Sequence, residues 1–394
     1  MINLTRLLCG VEQPADALRY GIGPGAARSA AERKPIVVWN ITRRCNLKCV
    51  HCYSDSDARE YPGELTWSDC RAVIDDLASY GVPGLLLSGG EPLIHPLFFY
   101  IARYARQRGM RLTLSTNGTL IDEEKAAKLR EVGFAYVGIS LDGIGETHDR
   151  FRGKEGAFDK AVQAFRNCRA VGQKAGLRLT LTRHTVNDLD RILDFIAAED
   201  IQRVCFYHLV YSGRGANLSL LTAGETRTAL DKIMDRVEAW HRDGKSREVL
   251  TVDQPADGPY LLMRLAQTNP ERADKALQLM RWNGGGNHGS GVGIANIDTQ
   301  GNVHPDQFWQ THTLGSVRLA PFSRIWSQTE DSIMRGLRTR PRPITGRCAN
   351  CRWLDLCGGG FRVRAFQNFG DPWREDPGCY LNEDEIAVAN SAAA

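Results

Sequence analysis

The chain reads as an α/β protein organised around a parallel sheet, and three observations carry that expectation. Short apolar runs alternate with amphipathic stretches of helical length from about residue 36 to about residue 210. Several of the helical stretches open on capping residues, and several close on glycine. The residue words with chemical content stand just after the apolar runs, where a parallel sheet gathers its functional loops.

The strand-like runs are 36–42, 84–89, 111–116, 136–141, 177–182 and 204–210. Helical patterns lie between them at about 66–81, 96–109, 122–133, 156–172 and 187–199. Thr66 with Asp69, and Asp122 ahead of Glu123 and Glu124, are start signals; Gly81, Gly109, Gly133 and Gly172 are stop signals. Strands alternating with helices of this length are repeated βα units. Six of them suit a partial barrel or a doubly wound sheet.

Residues 1–34 read as a leader that packs on the main body or stays mobile, and 35–255 as the core. Helical patterns at about 223–243 and 257–281 follow, with 256–285 as a linking segment. Residues 286–394 read as a second unit. It starts within the glycine-rich stretch Asn283–Gly291, continues as a hairpin over 293–304 turning near Thr299-Gln300-Gly301, and ends in an acidic tail closing at Ser391–Ala394.

At 394 residues the chain is long enough for one large unit and a smaller one. The net charge of +4 is modest and the Lys and Arg residues are spread out, so nothing argues for nucleic acid. No apolar stretch approaches the ~20 residues of a membrane span. Met1–Gly10 lacks the features of a secretion signal, so the expected compartment is the cytoplasm. Seven of the eleven cysteines fall in two groups, which in a reducing compartment suggests metal rather than disulfides. Cys9, Cys70, Cys168 and Cys205 are scattered singly; the last three read as small core hydrophobes.

The first group is Cys45, Cys49 and Cys52, on the loop after the first strand. Three thiolates can hold three irons of a cubane cluster and leave the fourth open to a ligand. A zinc site is the rival, although structural zinc wants four ligands and usually C-x2-C pairs. The loop, with His51 before its last cysteine and Tyr53 after it, resembles the CX3CXΦC signature of the radical S-adenosylmethionine (SAM) superfamily. Gly89-Gly90-Glu91-Pro92 after the second strand resembles that family's motif as well.

The resemblance implies a partial (β/α)6 TIM-like barrel. It implies that Cys45, Cys49 and Cys52 ligate a [4Fe-4S] cluster whose open iron chelates SAM. By the same resemblance, Gly89, Gly90, Glu91 and Pro92 bind the methionine amino group, with Glu91 as an acceptor. Ser140 and Arg152 make the ribose and carboxylate contacts, and Ser115, Thr116 and Asn117 add contacts from the third strand. Residues Phe206 to Val210 flank the adenine.

The second group is Cys348, Cys351 and Cys357, with Cys379 behind. On spacing alone a four-cysteine zinc ribbon competes for it. Beside a radical SAM core it resembles the C-terminal SPASM/twitch-like auxiliary domain, which implies one auxiliary [4Fe-4S] cluster on these four cysteines. Phe361 and Asp306 stand where further cysteine ligands are usual, so a second auxiliary cluster is not expected. A saturated cluster favours electron relay or structural support.

The words Gly301–Trp309 and Cys205–Gly215 resemble the heme d1-forming branch of the family, over nearly the whole chain. That implies a tetrapyrrole substrate, 12,18-didecarboxysiroheme, losing its C3 and C8 propionates, and an electron donor such as a flavodoxin or ferredoxin. Three alternatives stay open: a heme-forming decarboxylase acting on coproheme, a peptide-modifying maturase, and a non-catalytic iron–sulfur or zinc scaffold. A leader of about 34 residues is short for the peptide-binding element of a maturase. Arg43, Arg44, Arg178, Arg183 and Arg214, at or near strand ends, are candidate forks for substrate carboxylates. His208, His288 and His304 are candidate ligands of a substrate iron.

Overall fold

Among the residues described by the computed structural model, 1–13, 16 and 34–387, eleven strands share one sheet. The rest of the leader and the end of the acidic tail lie outside the described residues. The strands are β1 (Ile2–Asn3), β2 (Ile36–Thr42), β3 (Leu85–Gly89), β4 (Leu112–Thr116), β5 (Tyr136–Ser140) and β6 (Ala175–Leu181). They continue as β7 (Arg203–His208), β8 (Glu248–Val252), β9 (Ile294–Ile297), β10 (Asn302–His304) and β11 (Gly315–Ser316). The order across the sheet is β1-β8-β7-β6-β5-β4-β3-β2-β9-β10-β11.

The six expected strands are β2 to β7, and each pairs in parallel with the next. The sheet is wider than six. Glu248–Val252, between two helical patterns, is buried along its whole length and pairs in parallel with β7. The hairpin is present, but its first arm also pairs in parallel with β2, from Ile36↔Ile294 to Trp39↔Ile297. Asp298 makes the turn by accepting from the backbone N–H groups of Gln300 and Asn302, each within 2.9 Å. Antiparallel strands finish both edges, β1 on β8 and β10–β11 beyond β9. The barrel therefore stays open.

The helical pattern over 257–281 is two helices, Asp257–Thr268 and Pro270–Asn283. Pro270 has no N–H to continue the first helix, and the Asn269 side chain caps the second by accepting from Arg272 N at 3.1 Å. Helix Glu146–Arg152, which the periodicity did not single out, follows β5.

The core lies between the sheet and its helices. Leu77, Ile101, Leu129, Ala164, Ile192 and Ile233 from the helices meet Leu85, Leu112, Val137, Leu177 and Val204 from the strands, all fully buried. Cys70 and Cys168 belong to this core, and Cys205 is buried on β7. The described start of the leader packs on the main body: Leu4 and Leu7 are fully buried. Thr5 Oγ1 donates to Arg247 O at 2.6 Å and accepts from Val249 N at 3.0 Å, tying this segment to the β8 edge. Leu7→Ala should therefore cost ~2–5 kcal/mol, as a core truncation does. Denaturant unfolding checks this, with exposed Leu319→Ala as the silent control.

Candidate active site

The loop from Cys45 to Cys52 leaves the C-terminal end of β2 and forms one wall of a cleft across the strand ends. The cleft has about 1090 Å³ of empty volume, counting its open mouth. Cys45 and Cys49 are buried and Cys52 is half-buried. Each sulfur meets an N–H group. Leu47 N lies 3.4 Å from Cys45 Sγ, Arg152 Nη1 3.6 Å from Cys49 Sγ, and Ser56 N 3.4 Å from Cys52 Sγ. Asn117 Nδ2 stands 3.9 Å from Cys45 Sγ. Such donors suit metal-bound sulfur, whose negative charge they stabilise. Without metal, burial pushes the Cys45 thiol up to about 12, reinforced by the Glu91 carboxylate. Burial also raises Cys49 against the pull of Arg152. Loading a metal here means releasing protons. Among the described residues no three His, Cys, Asp or Glu side chains converge tightly enough to hold a single metal ion.

His51, Tyr53, Gly89, Gly90, Ser115, Thr116, Asn117, Ser140 and Arg152 line the same cleft as the three cysteines. Glu91 and Pro92 do not. The Glu91 carboxylate, expected to accept from a ligand, is fully buried and turns to the end of β4. It accepts from Thr116 Oγ1 at 2.8 Å, Asn117 N at 2.8 Å and Leu93 N at 3.1 Å. Its role in the structure is to fix the loop after β4. The two glycines serve the chain's own approach: a Cβ on Gly89 would lie 2.3 Å from Thr42 O, and one on Gly90 2.3 Å from Arg44 O. Gly90 N donates to Thr42 O at 2.7 Å and Glu91 N to Arg44 O at 2.9 Å. The motif thus holds the start of the cysteine loop.

Arg152 ends helix Glu146–Arg152 with its guanidinium in the cleft. It is ion-paired to Asp142, which is fully buried and also accepts from Thr180 N at 2.7 Å. Arg152 Nε is buried without a partner, a donor left for a ligand. The His51 ring stacks on Phe151, with centroids 4.5 Å apart. Burial lowers its pKa to about 4, so the imidazole is neutral at ordinary pH. Tyr53 Oη stands 3.2 Å from Asn40 Oδ1 and 3.3 Å from Ser88 Oγ.

The five candidate arginines separate. Arg44 and Arg183 are half-exposed beside Glu60 and Glu225. Arg43 pairs with Asp55 at 3.3 Å. Arg214 is half-buried and has a different task. Its Nε donates to Cys49 O at 2.8 Å, Nη1 to Asp55 Oδ1 at 2.7 Å and Nη2 to Ser56 O at 2.8 Å, while its backbone N donates to Cys52 O at 2.9 Å. It grips the cysteine loop from the segment after β7. Beside it a Cβ on Gly213 would lie 2.4 Å from Cys52 O. Arg178 alone of the five lines the cleft without a carboxylate partner among the described residues.

Of the three candidate histidines, only His208 lines the cleft; its Nε2 stands 3.0 Å from Asp257 Oδ2. His304 Nδ1 stands 2.7 Å from His312 O and is buried in the hairpin. His288 packs against Gly293, where a Cβ would lie 2.8 Å from its Nε2. Two further lining residues are Asp253, which follows the unforeseen β8 and carries no signal in the sequence, and Gln307, which lies inside the word Gly301–Trp309. Each has a buried oxygen without a partner.

Cys348, Cys351, Cys357 and Cys379 come together around a second, smaller cavity. Trp353 N lies 3.4 Å from Cys351 Sγ, and backbone N–H groups of Asp376 and Leu381 reach Cys348 and Cys379. Asp306, in the position of a missing cysteine, is buried and accepts from Ser290 Oγ. The ion pair of Arg364 with Asp376, fully buried at 2.8 Å, ties this cavity to the cleft, since Arg364 also donates to Leu209 O at 3.3 Å and Gln254 Oε1 at 3.2 Å.

A parallel sheet with an open three-cysteine loop at its strand ends is the arrangement of a radical SAM protein. Residues 39–196 match the Radical SAM superfamily, and the chain belongs to that family. It is 48% identical to the Fe-coproporphyrin III synthase of Methanosarcina barkeri, over 98% of this chain and 99% of that one. It is 44% identical to the pre-heme d1 synthase of Dinoroseobacter shibae, over 95% of this chain and 92% of that one. Its fold matches native anSMEcpe with bound AdoMet at a TM-score of 0.68 and 20% identity, covering 88% of this chain and 94% of that chain. The family brings a [4Fe-4S] cluster and SAM, and the protein is a radical SAM enzyme. No helix among the described residues is long and apolar enough to cross a membrane.

Gly213→Val should push the loop aside, and Arg214→Gln should remove three of its anchors. Each should lower iron bound at the first cysteine group severalfold while circular dichroism stays unchanged. Iron analysis after anaerobic reconstitution reads the effect.

Proposed function

We propose that the chain removes the C3 and C8 propionates of 12,18-didecarboxysiroheme on the route to heme d1. In this reading Cys45, Cys49 and Cys52 hold the SAM-binding cluster, whose chemistry when loaded is to generate a 5′-deoxyadenosyl radical that abstracts hydrogen from an unactivated carbon. Residues 35–255 form the radical SAM core, 256–285 link it, and 286–394 carry the auxiliary domain behind the leader of 1–34. The observation that carries the reading is the cleft itself, where an anion-seeking Arg178 shares the walls with the three cysteines.

His51, Tyr53, Gly89, Gly90, Ser115, Asn117, Ser140 and Arg152 surround the SAM, with Arg152 Nε directed to its carboxylate. Glu91 and Pro92 act at one remove, by shaping the wall. Asp142 holds the Arg152 guanidinium in place, and the rings of Tyr53 and Phe308, edge to face at 5.4 Å, make one apolar part of the wall that would keep water from the reacting atoms. Cys348, Cys351, Cys357 and Cys379 hold one auxiliary [4Fe-4S] cluster. A flavodoxin or ferredoxin supplies electrons, and the protein works in the cytoplasm.

A second reading has its own observation. The relative at 48% identity is named for making Fe-coproporphyrin III, a tetrapyrrole that keeps its propionates. Anaerobic incubation with SAM, reductant and 12,18-didecarboxysiroheme separates the two. Loss of both propionates with formation of 5′-deoxyadenosine supports the first; Fe-coproporphyrin III as product replaces it with the second. Cys45→Ala should abolish 5′-deoxyadenosine formation. Cys379→Ser should lower total iron by up to about half, two cubanes becoming one, and leave uncoupled SAM cleavage. A wild-type protein with only one cubane would remove the auxiliary cluster.

A further inference from the structure

At the β6–β8 end of the cleft, two charged side chains have no part in holding the cysteine loop. Arg178 on β6 runs over Gly138, where a Cβ would lie 2.5 Å from its Cδ. Its guanidinium lies 4.8 Å from the centroid of the Tyr207 ring, and no carboxylate among the described residues pairs with it. Asp253, the residue after β8, takes a left-handed φ of +67°, uncommon for a residue with a side chain. Its Oδ2 is buried without a hydrogen-bond partner.

Tyr207 stands between them: it pairs with Thr180 of β6 on one side and Val252 of β8 on the other. All three side chains line the cleft. Arg178 and Asp253 thus flank one ring without neutralising each other. A desolvated guanidinium seeks an anion, and a desolvated carboxyl with one oxygen lacking a donor favours its neutral form, which has an O–H to give. A cation would be repelled by Arg178, and an apolar group would satisfy neither.

Resting on the tetrapyrrole reading above, we propose that Arg178 and Asp253 form a two-point seat for one ionised side-chain carboxylate of the substrate. Arg178 is the counter-ion, and Asp253, as the neutral acid, donates its O–H to a carboxylate oxygen. Burial supports this by pushing Asp253 up to about 7; the Met1 α-amine, Arg364 and His208 pull the other way, and Asp306 adds to the rise. These four groups face Asp253 from the leader, the helix Arg362–Phe369, β7 and the loop after β10. Affinity is then highest below about pH 7 and falls as the pH rises through that value, because ionised Asp253 opposes a second carboxylate.

The test is a titration of the cluster-loaded full chain, kept anaerobic, with free-base coproporphyrin III and with its tetramethyl ester, followed by porphyrin fluorescence at about pH 6 and about pH 8. Wild type should bind the acid more tightly at the lower pH, and the ester about tenfold or more weakly. Arg178→Gln should lose a similar factor for the acid alone, and Arg178→Lys less. Asp253→Asn carries a donor at every pH, so it should keep the low-pH affinity and lose the pH dependence; Asp253→Ala should be weak at both. Iron content and circular dichroism establish that each variant is folded. If wild type binds the acid but Arg178→Gln and Asp253→Asn match it at both pH values, the seat is overturned and the tetrapyrrole reading stands. If wild type binds neither porphyrin, the tetrapyrrole reading falls and takes the seat with it.

Discussion

The eight residues from Cys45 to Cys52 cannot satisfy their own backbone, and the architecture of the cleft follows from that constraint. Cys45 N donates to Asp57 O at 2.7 Å, and Val50 N to Phe151 O at 3.0 Å. The carbonyls of Cys49 and Cys52 are met by Arg214. Partners therefore come from the loop's own continuation, from the helix after β5 and from the segment after β7. The segment after β3 holds the residues leading into the loop, through Gly90 N and Glu91 N. A loop supported in this way is rigid only when the whole ring of strand ends is assembled. Its three sulfurs are fixed by parts of the chain far apart in sequence.

Electrostatics divides the cleft into two ends. Near the cysteines, Arg152 is held by Asp142 and faces a sulfur, so its charge is already committed except at Nε. At the β6–β8 end, Arg178 has only an aromatic face. A ligand that extends across the cleft meets a pre-set donor at one end and an unspent charge at the other. The second cysteine site is different in kind: its cavity is smaller and mostly apolar, with all four sulfurs on its wall.

Much of this was legible in the sequence. Strands β2 to β7 announce themselves because short, apolar-rich runs recur in regular alternation with capped helical stretches. The cysteine spacings placed both groups, and the residues that resembled SAM contacts do surround one cleft, Glu91, Pro92 and the core residue Phe206 excepted. What stayed hidden was hidden for physical reasons. Glu248–Val252 is short and stands outside the regular strand–helix alternation, between two long helical patterns, so it lacks the context that marks the other strands. The word Gly89-Gly90-Glu91-Pro92 reads the same whichever way the carboxylate turns. Arginines at strand ends look alike in sequence, yet Arg214 ties down a loop, Arg183 faces solvent and Arg178 faces the cleft. Only the three-dimensional direction of each side chain separates them.

The parallel pairing of β9 with β2 carries a consequence for how the chain can be cut. Strand β2 leads directly into the cysteine loop, and one of its two hydrogen-bonding edges is supplied by residues near 295, from the other side of the expected boundary. Removing the C-terminal part would bare the apolar edge Ile36–Trp39 of β2, the kind of surface on which chains pair with one another and aggregate. The two cysteine sites are thus not separable modules joined by a tether. A truncation that silenced the enzyme would report a broken sheet before it reported anything about electrons.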